Sequence, residues 1–436
     1  MVGALSLVSL LAGCGGGGDS TTTKIVGSGV DSFGQSPAVS VPFTQAANNL
    51  KVTIEAGPNN GFSLTPNANI MYASVTICEP GNSTKCQTVD HVQVDTGSIG
   101  LRVLSSKVST LNLPHVQTDV GVDSWECYPF VVGGLWGVNA VADIGLGQQV
   151  APAVPVQLIQ DSANPVIQVP SDCDAVSNGQ ILSSQAALGS NGIIGIGSMT
   201  LDCGLTCQLG DYSGSTYAQY RACPVGATNS SACIPTAVPA NMQVYNPVAA
   251  LPAAYNNGVV LSLPSAPGVG ASSASGELIL GITDAQIASI PKVNVGVDYM
   301  AKPNSYLNIT TQYNNQTIYN SYLDTGTNGL FFVNSSIPLC AGSFWYCPTA
   351  DSLQTAVLSD GDFPNLNQTP VSFTVGSADS MFRTANTAFG NLAGSPPGGL
   401  TSFSWGLPFF YGKKVFMSIW DQRGSLNGPW YSWGPV

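Results

Sequence analysis

Two aspartates stand in matching surroundings. Asp95 lies in "VQVDTGSIGLRV" at residues 92–103 and Asp324 in "LDTGTNGLFFV" at 323–333. Each follows alternating or apolar residues, so each falls where a buried strand ends, and each precedes a Thr-Gly pair that lets the chain turn and present the carboxyl group. Two carboxyl groups a few ångströms apart cannot easily both ionise, so one proton is shared between them. The ionised member can take a proton from water while the protonated member donates to a carbonyl oxygen, which is general acid/base hydrolysis without a covalent intermediate. Such a pair titrates as a unit. A glycosidase using Asp95 and Asp324 is the weaker reading, because a close pair leaves no room for an inverting water and lacks the acid/base asymmetry such enzymes build.

That chemistry requires elements that bring the two residues together. Superposing Asp95 on Asp324 also aligns Thr96 with Thr325, Gly97 with Gly326, Ser98 with Thr327, Gly100 with Gly329 and Leu101 with Leu330. A separation of 229 residues is too long for a solenoid unit and suits one lobe of a two-lobed chain. Each lobe has a second landmark downstream, "NGIIGIGS" at 191–198 and "FSWGLPFFYGKKVFMSIW" at 403–420, where glycines among large apolar residues permit close backbone approach. "GELILGI" at 276–282 reads as a strand that opens the second lobe. The predicted organisation is two mainly β lobes, 45–265 and 266–436, related by a pseudo-twofold axis. Residues 200–260 form a cysteine-rich insertion in the first lobe, with little regular structure. The best helical candidates are only "ADSLQTAVLS" at 350–359 and "TDAQIAS" at 283–289.

Composition agrees with short strands and long connections: 49 glycines and 29 prolines interrupt a chain that is 44% hydrophobic. A net charge of −12 offers nucleic acid or an anionic membrane face no electrostatic attraction. There is no His-Glu-x-x-His, Gly-x-Ser-x-Gly, P-loop or dinucleotide-binding glycine motif, and neither a cofactor nor a metal is expected. Of the two histidines, His91 shares a strand face with Gln93 and Asp95 and reads as an ordinary strand residue. Setting Cys14 aside leaves ten of the 11 cysteines, an even number that fits disulfides in an exported chain better than zinc. The separations 78–86, 203–207, 223–233 and 340–347 could each close a small loop, and a fifth bridge between Cys127 and Cys173 would complete the set, a pairing suggested by proximity with the connectivity left open.

The N-terminal "MVGALSLVSLLAGCGGGGDS" contains an apolar run too short to span a bilayer, ending in Leu11-Ala12-Gly13-Cys14. It resembles the lipobox of bacterial lipoprotein signal peptides, although the usual basic start is missing. The resemblance implies a signal peptide over 1–14, a lipid on Cys14 and a flexible tether over 15–44. Gly15 is not the aspartate that retains such proteins in the inner membrane, so the resemblance favours the outer membrane of a bacterial cell envelope, with the folded part facing the periplasm or the surface.

At its two repeats the sequence resembles the pepsin-type, bilobal aspartic proteases, whose hallmark is Asp-Thr/Ser-Gly-Thr/Ser once per lobe. "DTGS" at 95–98 and "DTGT" at 324–327 match that hallmark. The family's hydrophobic-hydrophobic-glycine element corresponds to Ile193-Ile194-Gly195, and less cleanly to Ser404-Trp405-Gly406. The texture also resembles a group of bacterial lipoproteins of domain-of-unknown-function type that carry two Asp-Thr-Gly tripeptides. The resemblance implies an aspartic endopeptidase acting as a monomer on peptide or protein substrates. Asp95 and Asp324 would be its dyad, with Thr96 and Thr325 exchanging hydrogen bonds beneath it. Ser98 and Thr327 would steady the outer carboxylate oxygens, and the amides of Gly97 and Gly326 would stand near the inner ones. The flap is where this chain departs from the family. In "CYPFVVGGLWGVNAVADIGLG" at 127–147, with its turn near Val132 to Leu135, Phe130 occupies the place of the usual tyrosine, and Tyr128 and Trp136 are the candidate substitutes. That departure keeps a second reading open, a catalytically silent pepsin-like binding or structural lipoprotein, whose sign would be a cleft filled by Trp136 or the insertion.

Overall fold

The computed structural model describes residues 36–58, 67–162, 166–213, 215–289, 295–296, 308–361, 364–396, 401–420 and 429–436. Cys14, the expected signal peptide and most of the expected tether lie outside the described residues. Val39 and Ser40 already pair in parallel with Ala274 and Ser275, so the folded part begins before residue 45. Residues 39–40 therefore do not belong to a flexible tether, because Val39 packs against the main core.

The chain is mainly β, and its topology is that of a bilobal pepsin-like fold. Strand Cys86–Asp95 buries Val92 and Val94 completely. It runs parallel to Gly192–Ile196, with Asp95 opposite Gly195, and Gly192–Ile196 runs antiparallel to Ile99–Leu104. The second half repeats the arrangement. Gln316–Leu323 runs parallel to Phe403–Trp405, with Leu323 opposite Trp405, and Phe403–Trp405 runs antiparallel to Leu330–Phe331. The glycine near the end of each crossing, Gly195 within the first strand and Gly406 just after the second, is dictated by contact. A Cβ on Gly195 would stand 2.5 Å from the Ile99 amide nitrogen, and one on Gly406 would stand 2.1 Å from the Gly329 carbonyl oxygen.

Among the described residues the strands form a sheet of sixteen and a sheet of seven. The larger one draws on both ends of the chain. Ala274–Leu280 pairs with Asn49–Ile54 on one side and Gly258–Ser262 on the other, and Gly258–Ser262 pairs with Lys413–Ser418. The main core spans both halves, from Val52 and Val92 to Leu323, Phe403 and Trp405. In the second lobe it is an aromatic stack in which Phe403 and Trp405 lie 4.3 Å apart between centroids and Phe332 lies 5.0 Å from Phe403. Truncating one of these rings to alanine removes about 3–5 kcal/mol of stability.

Helices are short. Asp284–Ser289 is helical as the sequence suggests, but 350–359 is not: Ser352–Ser359 is a strand between Thr369–Val375 and Ile309–Tyr313. Its Leu353, Ala356 and Val357 fit a helical stripe, but pairing on both sides satisfies the backbone and overrides that weak local preference. No helix among the described residues is long and apolar enough to cross a membrane. Five disulfides join Cys78 to Cys86, Cys127 to Cys173, Cys203 to Cys207, Cys223 to Cys233 and Cys340 to Cys347.

Candidate active site

The two Asp-Thr-Gly loops meet where the repeated crossings abut. Thr96 N–H donates to Thr325 Oγ1 at 3.1 Å, and Thr325 N–H donates to Thr96 Oγ1 at 3.0 Å. Each hydroxyl then donates onward into the other lobe, Thr96 to the Leu323 carbonyl at 3.2 Å and Thr325 to the Val94 carbonyl at 2.8 Å. Four bonds thus tie the residues flanking each aspartate to the opposite lobe. Gln93 adds a fifth, from Nε2 to the Gly326 carbonyl at 3.2 Å.

This lattice sets the carboxyl groups of Asp95 and Asp324 within hydrogen-bonding reach of each other. Both residues are fully buried. Each carboxyl is held on two sides by its own loop. The Gly97 amide donates to Asp95 Oδ1 at 2.7 Å and the Ser98 hydroxyl to Oδ2 at 2.5 Å. The Gly326 amide donates to Asp324 Oδ1 at 2.7 Å and the Thr327 hydroxyl to Oδ2 at 2.6 Å. Burial, then the charge of Asp95 and the hydrogen bond between the two, hold the Asp324 carboxyl well above the usual carboxylate range; the Thr327 and Gly326 donors only partly offset this. Asp324 is thus the member of the pair on which a proton is favoured, and the pair titrates as a unit. The proximity is also visible from Gly97, where a Cβ would lie 2.6 Å from Asp324 Cγ.

The flap hairpin consists of Asp123–Phe130 and Gly133–Leu146, with a two-residue turn at Val131 and Val132 rather than at 132–135, because Phe130 pairs with Gly133. Tyr128, Phe130, Val132 and Leu135 share one buried cluster with Ile193 of the first lobe and with Phe331, Trp345, Met381 and Phe389 of the second. Tyr128 and Phe130 meet edge to face, 5.1 Å apart. Trp136 is elsewhere. It packs with Trp125 and the Cys127–Cys173 and Cys223–Cys233 bridges, and its indole donates to the Ile167 carbonyl at 3.3 Å. Alternation explains the separation, since Leu135 and Trp136 point to opposite faces of one strand.

The hairpin is pinned from several directions. Cys127 is bonded to Cys173 on the short helix Ser171–Val176, the Gly134 amide and carbonyl bond to Gln180 and Leu182 at 2.8 Å each, and Tyr220–Cys223 from the insertion pairs with 123–126. The insertion is thus part of the flap's sheet, although the sequence suggested little regular structure there. His91 adopts a left-handed conformation, φ 47°, beside Asp90 and Glu55 at a bulge in its strand. Cys340, Cys347 and Asp379 cluster closely enough to suggest a metal, but the two cysteines are joined and offer no thiolate.

Two sets of residues were missed. Asn69 bridges the lobes with its whole amide: Nδ2 donates to the Asn328 and Phe389 carbonyls at 2.9 Å each, and Oδ1 accepts from Phe389 N–H at 2.7 Å and the Tyr411 hydroxyl at 2.9 Å. Nothing local in "TPNANIMY" signals that role. Arg102, Glu126 and Asp202 form a buried ion cluster. The signal there was a lone arginine inside the apolar "IGLRVL".

In comparisons with known proteins, no curated sequence matches the chain. One solved structure that it resembles is an aspartic proteinase from Irpex lacteus, at 15% identity over 85% of this chain and 94% of that one, with a TM-score of 0.45. The family model described as "Protein of unknown function (DUF3443)" matches residues 44–433, nearly the whole described body with both Asp-Thr-Gly loops, and the chain is a member of that family.

Proposed function

We propose that the chain is an aspartic endopeptidase in which Asp95 and Asp324 activate a water molecule against a peptide carbonyl. The observation that carries this reading is the reciprocal seating of the two loops, which places two buried carboxyl groups close enough to share a proton. Asp324, holding the proton, donates it to the carbonyl oxygen; Asp95, carrying the charge, takes a proton from the attacking water. The tetrahedral diol then collapses as Asp95 passes that proton to the leaving amine and Asp324 recovers its own from a hydroxyl. Substrate would lie extended beneath Tyr128 and Phe130. The test is incubation of the disulfide-paired chain with a denatured protein from acidic to neutral pH, beside Asp95→Asn and Asp324→Asn. Cleavage by the wild type and its loss in each variant supports the proposal; cleavage that persists in both variants refutes it.

One observation favours a silent binding module instead. Both aspartates are fully buried, and the flap aromatics join a cluster that reaches into the second lobe. Absence of cleavage at every pH by correctly folded protein would select that reading.

We also propose a lipid anchor at Cys14 in a bacterial envelope, most simply the outer membrane. Its support is Leu11-Ala12-Gly13-Cys14 together with five disulfides, which belong outside the reducing cytoplasm. Cys14→Ser should move the protein from the membrane to the soluble fraction, and an unchanged distribution refutes the anchor.

A further inference from the structure

A second pair of buried carboxyl groups lies beside the flap, outside the dyad. Arg102 sits on Ile99–Leu104, the strand leaving the first Asp-Thr-Gly loop; Glu126 sits on the first flap strand; Asp202 comes from the insertion. All three side chains are 0–1% exposed. Arg102 Nη2 donates to Glu126 Oε1 and to Asp202 Oδ2, both at 2.8 Å. Gln219 Nε2 donates to the same two oxygens at 3.1 and 3.0 Å. The Tyr220 hydroxyl donates to Asp202 Oδ1 at 2.8 Å while accepting the Val244 amide at 2.8 Å.

The cluster touches both parts of the candidate site. Arg102 Nη1 donates to the Ile99 carbonyl, one residue beyond the Ser98 that holds Asp95, and its guanidinium carbon lies 3.6 Å from the centre of the Tyr128 ring. Two carboxylates against one guanidinium would leave a net negative charge in a dry interior, where an uncompensated charge is heavily penalised. Glu126 Oε2 is buried without a partner among the described residues, which adds to the penalty for a fully ionised cluster. One proton on the carboxyl pair removes the excess charge. Among the described residues, Arg102 is the cation that bonds to Asp202, and the other groups around it are Glu126, Gln219 and the phenols of Tyr212 and Tyr220; Arg221, which acts on Tyr212, is itself paired with Asp172.

We propose that Arg102, Glu126 and Asp202 are positioning residues that hold the flap and the first Asp-Thr-Gly loop in register, and that they do so only while their two carboxyl groups share a proton. Loss of that proton sets two buried anions against each other across the seam between the flap strand and the insertion, and the flap strand loses its anchor. Burial and the charge of Glu126 keep the Asp202 carboxyl well above the usual carboxylate range, so the loss comes on the alkaline side. Only the consequence for catalysis rests on the protease reading; the state of the flap can be measured without substrate.

The experiment is hydrogen exchange of the full chain across the pH range, corrected for intrinsic exchange and run in the Asp324→Asn background so that the coupled carboxyl pair of the dyad is removed. Protection over 123–138 and 200–225 should be steady at acid pH and fall by about tenfold or more on the alkaline side, one factor of ten for each unit by which the proton is held above its ordinary value. Protection of the second-lobe sheet at 309–323 should not change. Asp202→Asn, which mimics the protonated acid, should keep the flap protected throughout, and Glu126→Gln serves the same purpose if the first variant misfolds. Flap protection that is flat with pH overturns the proposal, as does a loss spread evenly over both lobes or one that persists in a carboxamide variant. If the wild type cleaves, Asp202→Asn should also shift the alkaline limb of kcat/KM and leave the acid limb in place. A chain that cleaves nothing still gives the exchange result, so the two readings fail separately.

Discussion

Gly97→Ala is the sharpest perturbation of the dyad available, because its effect can be worked from a single contact. The Gly97 backbone lies outside the left-handed region, so alanine is not excluded by conformation. What opposes it is the Asp324 carboxyl, whose Cγ would lie 2.6 Å from the new methyl. Non-bonded carbons settle at about 3.5–4.0 Å, so one side must yield by roughly 1 Å. The Gly97 backbone is the harder to move, since its amide holds Asp95 at 2.7 Å and its neighbour Thr96 is locked into the opposite lobe. The Asp324 carboxyl therefore gives way, stretching its bonds to Gly326 and Thr327. A displacement of about 1 Å at a reacting group lowers the rate by about a hundredfold, while overpacking at one buried site removes about 1–3 kcal/mol of stability. Steady-state cleavage of a denatured protein substrate, beside urea unfolding of the same samples, separates the two effects. The expected result is kcat down by about two orders of magnitude in a chain that still unfolds cooperatively. A variant with kcat within about a factor of three of wild type would refute the reasoning, because the dyad would then tolerate a displacement it is proposed not to tolerate.

Three further outcomes follow from the same contacts. Asn69→Ala removes the four inter-lobe bonds that this one side chain makes and leaves buried partners unsatisfied, and urea unfolding should show a loss of about 2–4 kcal/mol. Replacing Cys127 and Cys173 by alanine opens a 46-residue loop and should lower stability by about 4 kcal/mol on the loop-entropy account, with protease nicking appearing first between 160 and 185. Because the Asp324 carboxyl is raised, the folded chain keeps a proton that the unfolded chain releases, so the stability this group contributes is full at acid pH and is lost as pH rises from about 4 toward the raised value. Asp324→Asn should flatten its share of that decline in unfolding measured at a series of pH values.

Two repeated tetrapeptides were enough to indicate the symmetry of the fold, because a strand that ends in Asp-Thr-Gly is a local pattern and the same pattern twice demands two equivalent settings. The four short cysteine pairings were legible because their partners are close in sequence, whereas the paired threonines and the carboxyl-holding Ser98 and Thr327 were expected only through the family resemblance of the tetrapeptides, and Cys127 with Cys173 only as the two cysteines left over. The strand at 352–359 was misread because its spacing of apolar residues fits either period, and only pairing on both sides decides between them. Tertiary structure alone separated Tyr128 and Phe130, on the flap's inner cluster, from Trp136, which the pleat turns to the opposite face. It alone brought Glu126 and Asp202, from a hairpin and an insertion, onto the guanidinium of Arg102 on a third element. Such contacts form between residues up to a hundred positions apart, and their energy comes from being dry together, a condition no segment meets until the whole chain has folded around it.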